Sequence, residues 1–149
     1  MRTAFPALIG DIGGTNARFE WLATADTAPQ PLAIVKTEAF NGPEAAIAWA
    51  LRSADLPAPQ SALLAAAGPI REDGLDLTNC DWAIRPQHFL QTTGISRLQL
   101  FNDFEAQALA LPFLDDDDIV PVGPAAAPRK TYTKAVLGPG TGLGVGLMV

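Results

Sequence analysis

The segment Leu8-Ile9-Gly10-Asp11-Ile12-Gly13-Gly14-Thr15-Asn16-Ala17-Arg18-Phe19 sets the topology of this chain. A short apolar run leads into Asp11, and a pair of glycines follows. A carboxylate at the end of a buried strand needs a polar partner, so Asp11 is a candidate functional residue. Gly13 and Gly14 lack Cβ, which permits positive φ angles and lets an anion lie against bare N–H groups. The segment therefore predicts a phosphate-binding turn.

A strand, and not a helix, follows this turn. Residues 17–22 alternate between the two faces with the period of two typical of a strand, which predicts a hairpin centred on residues 13–15. The common glycine-rich phosphate loops instead run into a helix, and no Gly-Lys-Ser/Thr sequence is present here. We interpret the hairpin as a nucleotide phosphate site with Asp11 near a magnesium ion. The alternative is a hairpin whose glycines serve geometry alone, with Asp11 capping the turn.

Composition describes the kind of molecule that carries this hairpin. The chain has 149 residues, of which 48% are hydrophobic and 17% charged, so it can bury one good core. Its net charge of -6, without basic clusters, argues against a nucleic-acid partner. A single cysteine excludes an internal disulfide, and the apolar runs are too short for a signal peptide or a membrane span. We expect a cytoplasmic protein with no membrane partner.

The rest of the chain alternates strands with helices. Residues 32–37 predict a third strand, which forms an antiparallel meander with the first two. Residues 61–67 are apolar apart from Ser61, as in a strand buried on both faces, and residues 95–101 predict a further strand. Helices are predicted at residues 44–54, 86–92 and 104–111.

Polar residues follow two of the later predicted strands, a short one at residues 75–78 and the strand at 95–101. Asn79 and Trp82 belong to a loop that could face a sugar, with Asn79 bonding hydroxyls; the alternative, which we favour, is an ordinary turn with Trp82 in the core. Asn102 and Asp103 follow the strand at 95–101, where α/β sheets place their chemistry. Asp103 could accept the proton of an attacking hydroxyl while Asn102 fixes the substrate. Alternatively, Asp103 caps the next helix.

Two other features of the sequence bear on the site. The single histidine, His88, lies in the helix predicted at 86–92, and we expect a surface residue there. Residues 138–146 form a second glycine-rich turn between two predicted strands, which repeats the pattern of the first hairpin. The four aspartates at 115–118 repel one another and are expected to lie in solvent.

Four motifs together resemble the bacterial glucokinases, in that family's order and spacing. They are Gly-Asp-Ile-Gly-Gly-Thr-Asn-Ala-Arg at 10–18, Leu-Thr-Asn-x-x-Trp at 77–82, Phe-Asn-Asp-Phe-Glu-Ala at 101–106 and Gly-Pro-Gly-Thr-Gly-Leu-Gly at 138–144. The resemblance implies an α/β fold with an actin-like ATPase (ribonuclease H-like) domain. Such a domain has a mixed five-stranded sheet with an antiparallel three-strand meander and flanking helices, followed here by the first hairpin of a second domain.

The resemblance also implies roles for particular residues. ATP phosphates and Mg²⁺ would be held at the first turn, with Asp11 acting on the metal indirectly. Asn79, Asn102 and Asp103 would bind glucose, and Asp103 would be the general base toward its 6-hydroxyl. The ATP-binding residues implied in this way are Gly10, Asp11, Ile12, Gly13, Gly14, Thr15, Gly140, Thr141 and Gly142.

The resemblance implies a glucokinase of which this chain is the N-terminal half. We expect a small α/β domain at residues 1–112, an acidic linker at 113–134 and the start of a larger domain at 135–149. The glucose-gripping segments of the family lie further along, so we expect the chain alone to be inactive. We also expect the enzyme to be a homodimer. The alternatives are a kinase of the same fold for another sugar or acid, and a non-catalytic binding module.

Overall fold

A computed structural model describes residues 3–123, 133–139 and 143–149, and the chain divides into two compact units, residues 1–103 and 104–149. The strands are β1 (Ala7–Ile12), β2 (Asn16–Leu22), β3 (Gln30–Lys36), β4 (Ser61–Ala66), β5 (Ile70–Arg71), β6 (Gly74–Asp76), β7 (Ala83–Ile84), β8 (Arg97–Asn102), β9 (Lys134–Pro139) and β10 (Leu143–Met148). The α-helices are α1 (Pro43–Ala54), α2 (Pro86–Thr93) and α3 (Asp103–Ala110). The predicted domain boundaries, at residues 112 and 135, stay predictions.

The first unit is built on a five-stranded sheet in the order β3-β2-β1-β4-β8. The pairs β1/β2 and β2/β3 are antiparallel, whereas β4 lies parallel to both β1 and β8. The structure therefore confirms the predicted mixed sheet and its antiparallel meander. Strand β4 lies inside the sheet between β1 and β8. Its residues Ala62, Leu64 and Ala66 are fully buried on one face, whereas Leu63 and Ala65 on the other face are only partly buried, so the predicted burial on both faces holds in part.

The core of this unit follows from the alternation of side chains along the strands. Ala17 and Phe19 of β2 are buried while Arg18 between them is exposed, as the period of two requires. Helix α1 buries Ala46, Ile47 and Ala50, which recur at helical spacing along one face. These residues pack in one apolar cluster with the inward side chains of β1 and β4.

A second, small sheet of β5, β6 and β7 carries the loop of residues 77–82. Arg85 fixes this sheet, because its guanidinium donates to the carbonyl oxygen of Leu75 and to the Asp76 carboxylate. The hydrogen bond to Asp76 raises the pKa of Arg85. Helix α2 then runs from Pro86 to Thr93 and is capped by Gly94, whose φ of 73° is one that glycine adopts freely.

In the second unit, the strands β9 and β10 pair as an antiparallel hairpin, as predicted. A Cβ added at Gly138 would lie 2.5 Å from the ring of Phe104, and one at Gly144 would collide with that ring. A Cβ at Gly146 would collide with the Phe104 carbonyl oxygen. These three glycines therefore let α3 approach the hairpin closely, a packing role that the sequence had not separated from phosphate binding.

Candidate functional site

The parallel strands bring their carboxyl ends to one edge of the sheet. Ile12 is in register with Ala66, and Ala66 with Asn102. Since neighbouring strands lie about 4.8 Å apart, the end of β1 and the end of β8 are separated by about 10 Å. The glycine turn and the Asn102-Asp103 pair, both predicted from sequence, consequently share the edge at which α/β sheets bind ligands.

The glycine turn closes the β1/β2 hairpin. The N–H of Gly13 donates to the carbonyl oxygen of Asn16 at 2.9 Å. Within the ranges that the structure describes, the N–H groups of Gly14 and Thr15 have no hydrogen-bond acceptor in the protein. Amide N–H groups without an acceptor in the protein can donate hydrogen bonds to the oxygens of a phosphate.

Glycine permits positive φ angles, but neither Gly13 nor Gly14 lies in the left-handed φ region. A Cβ at Gly14 would instead lie 2.5 Å from the Cβ of Asn79, whereas one at Gly13 would meet only the Asn16 carbonyl oxygen, at 3.4 Å. The requirement at Gly14 is therefore space, because the loop of residues 77–82 packs directly on the turn.

Thr37 also holds the turn, through two hydrogen bonds. It is 3% exposed, its hydroxyl donates to the Gly14 carbonyl oxygen at 2.8 Å, and its N–H donates to the Thr15 carbonyl oxygen at 3.1 Å. Sequence reasoning missed this residue. The signal available was a hydroxyl at the end of an apolar strand, where another aliphatic side chain would have been ordinary.

Asp11 points away from the core near the end of β1. Its carboxylate accepts a hydrogen bond from Arg18, directly opposite on β2, at 2.9 Å. Both side chains are more than half exposed, at 57% and 60%, so the pair contributes little to stability. Arg18 is the partner that the sequence required for this carboxylate.

Asn102 and Asp103 lie at the junction of β8 and α3. The Asn102 side-chain amide donates to the Gly68 carbonyl oxygen at 3.0 Å, which joins the end of β8 to the segment after β4. Helix α3 begins at Asp103, and a carboxylate in the first turn interacts favourably with the helix dipole. That position suits both the structural and the catalytic interpretation, and the role of Asp103 as a general base stays a prediction.

A cavity of about 650 Å³ opens beside the glycine turn. It is lined by Gly14 and Thr15, by residues of the segment 36–41 and by residues 79–82, but not by Asn102 or Asp103. The loop is held there because the N–H of Thr78 donates to the Ala67 carbonyl oxygen, at 3.0 Å. Three separate segments thus build the wall around the turn.

Within that wall, the loop residues take different roles. Asn79 is exposed, so its amide is accessible to a ligand, and its sugar-binding role stays a prediction. Trp82 is 5% exposed and donates from Nε1 to the Phe40 carbonyl oxygen at 3.0 Å, which confirms its favoured place in the core. His88 is a surface residue of α2, as expected.

The remaining predicted ATP contacts have different positions. Gly10 is buried within β1, where a Cβ would lie 2.6 Å from Leu64, and Ile12 is a core residue. The segment Gly140, Thr141 and Gly142 lies outside the described residues. The acidic run at 115–118 is exposed, as predicted, and the described residues contain no cluster of three or more potential metal-binding side chains.

Two solved structures that match this fold are glucokinases. A glucokinase from an Antarctic psychrotroph matches with a TM-score of 0.80 and 33% sequence identity, over 98% of this chain and 47% of that one. A glucokinase from Balamuthia mandrillaris in complex with glucose matches with a TM-score of 0.64 and 26% identity, over 93% and 43%. The fold is therefore that of an α/β sugar kinase with a mixed sheet.

Sequence comparison gives the particular family. The glucokinase family model matches residues 8–149. The glucokinase of Rhizobium etli is 46% identical over 145 residues, which are 97% of this chain and 42% of that protein. The chain belongs to the glucokinase family, and it spans less than half the length of the curated relatives it matches. No helix in the described part of the chain has the length and apolar character needed to cross a membrane.

Proposed function

We propose that the full-length protein containing this chain is an ATP-dependent glucokinase, for which the chain supplies the N-terminal half. The observation that carries the proposal is the shared sheet edge, where β1 ends in the glycine turn and β8 ends in Asn102 and Asp103. A phosphate site and a carboxylate at one edge are what phosphoryl transfer to a hydroxyl requires. Membership of the glucokinase family supports glucose as the acceptor.

Asp103 is the general base of the proposed reaction. It accepts the proton of the glucose 6-hydroxyl as that oxygen forms a bond to the γ-phosphorus of ATP. The bond between the γ-phosphorus and the bridging oxygen breaks, and the electron pair leaves with ADP. Asn102 and Asn79 hydrogen-bond sugar hydroxyls and so orient the attacking oxygen.

The glycine turn binds the ATP phosphates in this proposal. The amides of Gly14 and Thr15 are suitable donors because no acceptor in the described protein uses them. Donors fixed before the reaction stabilise the charge that develops on the transferred group without reorganisation. The segment from Gly140 through Thr141 to Gly142 is proposed as a second phosphate loop, on the resemblance alone.

Mg²⁺ fits the site as a metal held mainly by the nucleotide. Asp11 offers an exposed carboxylate, of which Oδ2 accepts from Arg18. Magnesium in kinase sites is bound by one or two carboxylates together with phosphate oxygens and water. When bound, the metal would neutralise phosphate charge, and Asp11 would hold it indirectly.

Other features of the whole protein belong to the same proposal. They are an actin-like ATPase fold, a cytoplasmic location, glucose and ATP as ligands, and a homodimeric assembly. The family membership supports the nucleotide and the sugar, and the net charge of -6 agrees with the absence of a nucleic-acid partner.

The experiment that tests the function is a substrate panel. The full-length protein is incubated with MgATP and, in turn, glucose, mannose, fructose, N-acetylglucosamine and gluconate, and the products are identified by ³¹P NMR. We expect glucose 6-phosphate as the main product. Phosphorylation of a different acceptor alone would support the related-kinase alternative, and hydrolysis or inertness with all of them would favour a binding module.

A further inference from the structure

We infer that Thr37 is a positioning residue for ATP, which fixes the glycine turn so that the N–H of Thr15 faces the phosphates. The inference rests on the proposed function, because it assigns a cause to the shape of the proposed phosphate site. Thr37 does not touch substrate in this account, and it acts through the backbone of the turn.

The hydrogen bonds of Thr37 determine the orientation of the turn's peptide groups. In a trans peptide the carbonyl and the following N–H point in opposite directions. The Gly14 carbonyl oxygen is held by the Thr37 hydroxyl at 2.8 Å. The N–H of Thr15, which belongs to the same peptide group, must therefore point away from Thr37.

The hydroxyl bond is separate from the strand pairing. The pairing of β2 with β3 ends where Asn16, the first residue of β2, lies opposite Lys36, the last residue of β3. The bond from the Thr37 N–H to the Thr15 carbonyl oxygen, at 3.1 Å, continues that ladder by one residue. Any residue other than proline at position 37 could make this backbone bond. The additional bond to the Gly14 carbonyl oxygen needs a side-chain donor, which here is the Thr37 hydroxyl, so the side chain adds a restraint that the ladder does not give.

Thr37 is itself held in place. It is 3% exposed, and its own carbonyl oxygen accepts the N–H of Phe40 at 3.2 Å, at the end of the short 3-10 helix Thr37–Ala39. Its N–H, hydroxyl and carbonyl groups therefore all have partners. A second segment also contacts the turn, because Asn79 packs against Gly14. Two separate segments therefore hold the turn, which is how a rigid phosphate site is preorganised.

The test compares Thr37→Val, which removes the hydroxyl at similar volume, with Thr37→Ser, which keeps it. Thr93→Val is the matched control, because the Thr93 hydroxyl donates to the Phe89 carbonyl oxygen at 2.7 Å in α2 and is part-buried. Steady-state constants for ATP and for glucose are measured on the full-length protein, together with thermal melting.

We expect Thr37→Val to lower kcat/KM for ATP by about fivefold to tenfold, the value of one lost hydrogen bond. The glucose KM at saturating ATP should stay within about twofold of the parent, and Thr37→Ser should restore the ATP constants. Thr93→Val should melt at lower temperature with unchanged constants. Parent-like ATP constants in Thr37→Val, equal loss in Thr37→Ser, or an equal rise in the glucose KM would overturn the inference and leave the proposed function standing.

A second measurement needs no variant, and so holds even if Thr37→Val does not fold. Amide hydrogen exchange at Thr15 is followed in the parent, with and without saturating MgADP. We expect at least about tenfold protection on binding, because the exposed N–H gains an acceptor. Unchanged exchange at Thr15 with MgADP bound would overturn the inference. A parent that binds no nucleotide and phosphorylates no glucose would overturn the proposed function and this inference together.

Discussion

At the scale of single residues, the two glycines of the glycine turn differ in what a side chain at each position would meet. A Cβ at Gly14 would meet the Asn79 Cβ at 2.5 Å, whereas at Gly13 the nearest atom is a carbonyl oxygen at 3.4 Å. We expect Gly14→Ala to lower the free energy of unfolding by about 1–3 kcal/mol, as overpacking does. Gly13→Ala should change it by less than about 1 kcal/mol. Denaturant unfolding of both variants checks this, and equal losses would contradict the account.

Variants of Asp11 and Arg18 can distinguish a structural role of their ion pair from a metal-binding role of the Asp11 carboxylate. Because both side chains are exposed, removing the pair should change stability by less than about 1 kcal/mol. We expect Asp11→Asn to lower turnover by at least about tenfold through weaker metal binding, whereas Arg18→Gln keeps near-parent turnover. Titration of Mg²⁺ in the kinase assay measures the difference. Equal losses in both variants would mean that the carboxylate serves the ion pair alone.

At the scale of elements, the hairpin of β9 and β10 depends on glycine where it meets α3. A Cβ at Gly144 would collide with the Phe104 ring, while Val145 beside it is 51% exposed. Gly144→Ala should therefore lower the melting temperature of the 149-residue chain by several degrees, and Val145→Ala should not. Adding Phe104→Ala to Gly144→Ala should recover part of the loss. A Gly144→Ala variant with the parent melting temperature would contradict this packing.

The helices and strands differ in how well their positions could be predicted from the sequence. The alternation in β2, the apolar run of β4 and Gly94 after α2 each carry a local signal, so their positions were predicted to within a few residues. Thr37 and the close approach of Asn79 to Gly14 depend on contacts between distant segments. A hydroxyl at the end of an apolar strand marks Thr37 as unusual, but no local pattern shows which distant group it contacts. The position of the site was therefore predicted, whereas the contacts that shape the glycine turn were not.

At the scale of the whole molecule, the proposed reaction needs more than this chain. The chain spans 42% of the Rhizobium etli glucokinase, and a kinase cleft must exclude water and orient both substrates. We expect the purified 149-residue chain to show no measurable glucose phosphorylation, even where it binds nucleotide. A coupled assay beside the full-length protein decides this. Turnover by the chain alone would show that the remaining sequence is not required.

The central claim is that Asp103, at the sheet edge shared with the glycine turn, is the base of a glucokinase. The most direct test is glucose phosphorylation by the full-length protein carrying Asp103→Asn, beside the parent and Asp116→Asn, which alters an exposed aspartate of the acidic run. We expect turnover to fall by at least about a hundredfold in Asp103→Asn alone, with parent-like melting in all three. Parent-like turnover in a folded Asp103→Asn would contradict the claim and leave Asp103 as a residue of the first turn of α3.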